Sequence, residues 1–143
     1  MSKGYAFEDL TIGLSASRSH VVTEADIIAF ADVSGDHNPV HLDEAFAQTT
    51  AFKGRIAHGM LSGAYISALI ASELPGSGSI YISQSLTFKR PVRIGDDLTI
   101  TVSVIALDPA KGRATLATSG VVGGKTVVDG EAVIMVPRKP TQA

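Results

Sequence analysis

No segment of this 143-residue chain restricts its fold as much as the run from His58 to Ser72. Met60, Leu61, Ala64, Tyr65, Ile66, Ala68, Leu69 and Ile70 cover most of the circumference of a helix drawn over these residues, and no charge interrupts them. A helix that is apolar nearly all round predicts burial on nearly all sides. Gly59, Ser62, Gly63, Ala64, Ser67 and Ala68 are small, so a sheet can approach its axis closely. Met60 to Ala71 is too short to cross a bilayer, which takes about 20 apolar residues.

The rest of the chain supplies what could cover such a helix. Leu98, Ile100, Val102 and Val104 alternate with Thr99, Thr101 and Ser103, the period of a half-buried antiparallel strand. It is one of four strand signals after a loop at residues 74–79, with turns at Asp108 to Gly112 and at Gly123-Gly124. The first half reads differently. A short strand from Leu14 to Val22 leads to Thr23-Glu-Ala-Asp26, a capping signal for a helix ending near Val33 and stopped by Gly35. Pro39 prevents a continuous helix over 36–41, and a short helix follows from Asp43 to Gln48. Helices first and strands afterwards predict an α+β fold: one antiparallel sheet curled around one long buried helix.

Length leaves room for a single domain, and 45% hydrophobic residues provide its core. Charged residues make up 18%, below the roughly 25% usual in soluble proteins, which predicts a surface partly covered in a homo-oligomer. Twelve basic against 14 acidic residues, without a basic run, exclude nucleic acid as the main partner. No cysteine is present, which removes disulfides, thiolate metal sites and cysteine nucleophiles together and fits a reducing compartment. MSKGYAFEDL lacks the apolar stretch of a signal peptide, so a soluble cytoplasmic protein is expected.

Two motifs mislead. Ser119 to Thr126 looks like a phosphate-binding loop, but Ser119 stands where its first glycine belongs and the flanks read as strands, so a hairpin turn is expected. His37 and His41 have the spacing of a helical metal pair, yet Pro39 lies between them, and no metal site is expected.

Asp36, Asn38 and His41 form a different kind of group, with titratable and amide side chains in a turn between two helices. By itself such a segment is an Asx-Pro turn capping the next helix. The second element is Ile56-Ala57-His58-Gly59-Met60, where the apolar helix opens: amides near Gly59 lack partners there and lie at the positive end of the helix dipole. A carboxylate and an imidazole facing an amide donor are the parts needed to add water to a conjugated thioester or remove it. The donor steadies the enolate-like oxygen and the pair manages the protons. The same parts could hydrolyse a thioester, so chemistry alone does not decide.

At these residues the chain resembles the MaoC-like (R)-specific enoyl-CoA hydratases. The resemblance rests on Phe30 to His41 with its Gly35-Asp36-His-Asn38-Pro39-Val-His41 core, on Ala47, on Thr49 to Phe52, and on Ile56-Ala-His58-Gly59-Met60. It continues through Gly78 to Phe88 and Pro91 to Asp96, covering roughly residues 10–136. It implies a single hot-dog domain, a homodimer with the acyl tunnel near the subunit interface, and a hydro-lyase that needs no cofactor. The reaction implied is reversible syn hydration of a trans-2-enoyl-CoA to the (R)-3-hydroxyacyl-CoA. Carried over residue by residue, Asp36 and His41 become the catalytic pair, the Gly59 amide the oxyanion donor, and Ser67 a serine lining the site. Asn38 shapes the loop, and His58 orients the chain before the helix.

Other residues read first as structure. Ser62 and Ser67 suit packing on a helix of small residues, and Lys53, Arg55, Lys89, Arg90 and Arg93 read as solvated charges, some of which could meet CoA phosphates. Gln84 interrupts the apolar series Ile80, Ile82, Leu86 and Phe88, so it needs partners, expected across a dimer. The remaining alternatives are a dehydratase acting on acyl-carrier-protein substrates, a hot-dog thioesterase that would release free thiol, and a non-catalytic acyl-CoA-binding subunit.

Overall fold

A computed structural model describes residues 4–140. β1 (Ser15–Val21) leads into α1 (Glu24–Ser34), and two short helices, α2 (Pro39–Leu42) and α3 (Glu44–Gln48), precede the long α4 (Gly59–Ser72). The chain then forms β2 (Ile80–Gln84), β3 (Thr87–Phe88), β4 (Asp97–Asp108), β5 (Arg113–Val122) and β6 (Lys125–Met135). All strand pairs are antiparallel, in the order β1-β4-β5-β6-β2, with β3 also on β6. This is an α+β hot-dog arrangement with an open sheet, whose edges are β1 and β2.

The alternating pattern places the core. Leu98, Ile100, Val102 and Val104 of β4 point inward beside Ala114 and Leu116 of β5 and Ala132 and Ile134 of β6, all buried. Against this face lie Leu61, Ile66, Leu69 and Ile70 of α4, and the helix packs on β4, β5 and β1. The outward positions carry hydroxyls, and Ser17 and Ser19 of β1 hydrogen-bond to Thr101 and Thr99 of β4 at 3.0 and 2.9 Å. Gly123 and Gly124, with φ of 58° and 77°, form the tight β5–β6 turn, so the phosphate-loop look-alike is a hairpin.

Three details differ from what periodicity predicts. Cover on nearly all sides of α4 is not supplied by its own chain: Met60, Ala64, Ala68 and Ala71 line an exposed face. Edge strand β2 also exposes apolar side chains, Ile80, Tyr81 and Ile82. Gln84 finds its partners within the chain, donating to Thr118 Oγ1 at 2.9 Å and to the Ser85 carbonyl at 2.8 Å while accepting from the Tyr81 hydroxyl. Finally, Pro39 begins a helical turn instead of only breaking one, because the first helical position needs no amide donor.

Candidate active site

The turn that presents Asp36 is built by short-range bonds. Thr23 and Asp26 close a capping box at the start of α1, and Gly35, at φ 78°, ends that helix with its amide on the Ala31 carbonyl. The Asp36 amide donates to Ser34 Oγ at 3.1 Å, and the Asn38 amide donates to Asp36 Oδ1 at 3.2 Å. Asn38 in turn caps α2, its Oδ1 accepting from the Val40 amide. These bonds leave the Asp36 side chain exposed at the rim and turn His41 inward.

His41 is 8% exposed, and both its ring and its backbone are clamped by the segment before α4. Its Nδ1 lies 2.8 Å from the Ile56 carbonyl. A carbonyl only accepts, so Nδ1 carries the proton and Nε2 keeps a free lone pair. The His41 carbonyl accepts from Arg55 Nε at 2.7 Å, and the Ile56 amide donates to the Val40 carbonyl. Arg55 also donates from Nη1 to Glu24 on α1 at 2.8 Å, while its amide donates to Glu44 on α3. Its side chain is only 13% exposed, so Arg55 is not the solvated charge its sequence context predicts; it ties three helices to His41.

His58 completes the cluster. At 2% exposure its ring stacks on His41 with centroids 3.9 Å apart, and Phe30 lies 4.9 Å away. Its Nε2 donates to the Asp36 backbone carbonyl at 3.0 Å, which leaves Nδ1 as a buried acceptor without a partner. Burial pushes the pKa of His41 below its ordinary value of 6.5. His58 adds to the lowering, and the Ile56 carbonyl and the Asp36 carboxylate oppose it. His41 is therefore a neutral base at neutral pH.

Asp36, His41 and His58 bring one nitrogen or oxygen each within 4.8 Å of the others. The proximity would suit a cation, but the two rings are stacked with an interplanar angle of 29°, so their in-plane lone pairs run side by side instead of converging on one ion. His37, the other half of the sequence pair, is exposed, with Nδ1 3.2 Å from the Gly35 carbonyl and Nε2 3.8 Å from Asp32 Oδ1. The trio is better suited to handling protons than to coordinating a metal.

The three residues line a cleft of about 360 Å³ that reaches the N-terminus of α4 at Gly59 and Met60. Phe52, Ile56, Val92, Val127 and Phe88 are among its apolar walls. His58 gives α4 no side-chain cap, and the first closing bond runs from the Leu61 amide to the His58 carbonyl, so the Gly59 and Met60 amides have no partner among the described residues. A Cβ at Gly59 would lie 2.8 Å from the Phe88 ring, so glycine is required here by the close approach of an aromatic wall. Ser62, one turn further on, is 4% exposed and lines the same cleft.

Asp36, His41, His58 and Gly59 thus meet in one cleft, with Asn38 behind them as a cap. Ser67 does not line it: five residues beyond Ser62, it is turned about 140° round the helix axis. It is half-buried beside the uncovered face of α4. Sequence reasoning missed Arg55 and Phe88, and read Ser62 as packing. Nothing near Arg55 in the chain signals its carboxylate partner on α1, whereas glycine opening a helix could have signalled an aromatic neighbour.

The fold and this polar end of an apolar cleft define a hot-dog domain with a proton-handling group in its cleft. The chain belongs to the MaoC-like domain family, whose model matches residues 11–132. It is 53% identical over 133 residues to an (R)-specific enoyl-CoA hydratase of Rhodospirillum rubrum, covering 93% of this chain and 92% of that one. It is 48% identical over 131 residues to the (R)-specific enoyl-CoA hydratase of Aeromonas caviae, covering 91% and 98%. An unliganded R-hydratase structure from Pseudomonas aeruginosa superposes with a TM-score of 0.89 at 50% identity, covering 98% and 92%.

Proposed function

We propose that this protein is an (R)-specific enoyl-CoA hydratase, a hydro-lyase that adds water reversibly to trans-2-enoyl-CoA. The observation that carries the reading is a carboxylate and a neutral imidazole, Asp36 and His41, in the same cleft as the open amide of Gly59. His41 Nε2 accepts a hydrogen bond from the attacking water and Asp36 takes its proton. The hydroxyl adds to C3 and the pair returns a proton to C2 from the same face, so one water balances the reaction and addition is syn. Because the two groups are coupled, their pH behaviour belongs to the pair. The Gly59 N–H steadies the negative charge that collects on the thioester oxygen between the two bond-forming events. Asn38 and His58 hold this arrangement.

The chemistry uses no cofactor, and CoA enters as part of the substrate. A second copy of the chain is the natural cover for Met60, Ala64, Ala68 and Ala71 together with the β2 edge, so the working form is a homodimer, with Ser67 beside the joint surface. The lack of cysteine suits the cytoplasm. Among the described residues no helix is long and apolar enough to cross a membrane.

The decisive experiment follows crotonyl-CoA with purified protein, recording loss of the conjugated thioester's ultraviolet absorbance and appearance of free thiol together. Absorbance loss without thiol, giving a product oxidised only by an (R)-specific dehydrogenase and abolished in Asp36→Asn, is the expected result. Thiol release would overturn the reading in favour of a thioesterase.

A further inference from the structure

Besides the open Met60 amide, the N-terminal end of α4 presents one side-chain hydroxyl that the reading above leaves unused. Ser62 is 4% exposed and lines the cleft with Gly59; its hydroxyl makes no side-chain hydrogen bond among the described residues and is not one of the fully buried unpartnered groups, so it opens onto the cleft. A serine hydroxyl on a helix is most simply satisfied by bonding back to the carbonyl one turn earlier. Here no such bond forms, so the hydroxyl retains its donor for something that enters the cleft.

Position along the helix says what that something is. Helical side chains lean towards the N-terminus and cover the preceding turn, so Ser62 leans over the turn that begins at Gly59. Residues three apart lie on the same face, which aligns the Ser62 side chain with the open Gly59 amide. Phe88, Val127 and Val128 add carbon walls, and of the cations that also line the cleft Lys89 pairs with Asp129 while Arg90 donates to the Thr126 carbonyl. An oxygen held by the Gly59 amide would therefore find a side-chain donor in Ser62, beside the open Met60 amide. Sites that stabilise a developing oxyanion generally aim two donors at it.

We infer that the Ser62 hydroxyl is a second hydrogen-bond donor to the substrate's thioester oxygen, acting beside the Gly59 amide. It keeps its proton throughout: it shortens its bond as charge collects on the oxygen and lengthens it when the charge returns to carbon. The inference rests on the hydratase reading for its substrate, and deepens it by naming a residue that touches the reacting group.

Ser62→Ala tests this without endangering the fold, since it removes one atom, leaves no unpaired partner and favours the helix. With crotonyl-CoA, kcat is expected to fall roughly 10²-fold while KM moves by less than about threefold, the split expected when an interaction strengthens in the transition state. The second readout is the infrared carbonyl stretch of crotonyl-CoA labelled with carbon-13 at C1 and bound to the Asp36→Asn protein. Adding Ser62→Ala should return that band part of the way towards its frequency in water.

An unchanged kcat with an unmoved band overturns the inference, and so does a raised KM with kcat preserved, which would make Ser62 part of the acyl wall. The failure of the hydratase reading looks different: the wild-type protein then leaves crotonyl-CoA unhydrated. The carbonyl band alone would then decide whether Ser62 touches the thioester, an unmoved band counting against it.

Discussion

Along β4 the inward residues Leu98, Ile100, Val102 and Val104 are all buried and do the same work, whereas between Gly35 and His58 almost every contact is made once. The sheet is held by repetition: each inward side chain adds apolar area, and neighbouring strands share the cover. The segment from Gly35 to His58 is held by single polar bonds, from Val40 to Asn38, from Arg55 to His41, from His41 to Ile56 and from His58 to Asp36. Redundant apolar packing gives stability that tolerates local loss. A chain of unique bonds gives geometry that does not, because each bond positions the next.

The contrast can be broken by substitution on either side. Asp36→Asn should lower kcat by about 10²–10⁴-fold. The exposed side chain contributes little to the fold, so the thermal midpoint should stay in place. A matching loss of thermal stability would show that the loop is also a structural element. Leu116→Ala, in the repeated core, should cost about 2–5 kcal/mol in denaturant unfolding while kcat per folded molecule is retained. Reduced turnover in the remaining folded protein would erase the distinction.

Arg55→Met sits on the border between the two regions. It keeps much of the stem but loses the bonds to His41 and Glu24. Turnover of crotonyl-CoA should drop about tenfold, because slight misplacement of a catalytic group is costly. Denaturant unfolding should change by about 1–2 kcal/mol, the scale of lost hydrogen bonds. An effect on stability alone would return Arg55 to the structural side.

The smallest effect concerns pH. His41 titrates below 6.5 in the folded chain, so the acid limb of kcat/KM should lie below that value. The unfolded chain takes up its proton first as pH falls through 6.5, so this residue destabilises the fold progressively on the acid side and contributes no pH dependence above that region. Denaturation curves of the wild type and His41→Asn should therefore converge as pH falls through that window. A constant gap would mean that the ring's burial does not oppose its charge.

What could be read from the chain follows the same division. The alternation in β4 and the apolar run of α4 have fixed periods; α4 starts within a residue of its predicted bound, while β4 runs four residues past the last alternating position, to Asp108. That Asp36, His41 and Gly59 would share one cleft was legible from their residue types and the resemblance they carry. Arg55 was not, since its importance comes from Glu24, 31 residues away. Nor does periodicity say who covers an apolar helix, and the exposed line from Met60 to Ala71 looks like core in the sequence whether its cover is intramolecular or a second copy.

The contact between Phe88 and Gly59 makes substrate range and rate inseparable properties of this enzyme. The ring occupies the space a side chain would take at the head of α4, and it is also a wall of the cleft. Trimming that ring to admit bulkier acyl groups would remove the surface against which the backbone donor rests. Adding a methyl at Gly59 would drive the wall into the acyl space. A variant library aimed at broader substrates should therefore change another wall, such as Val92, before touching Phe88.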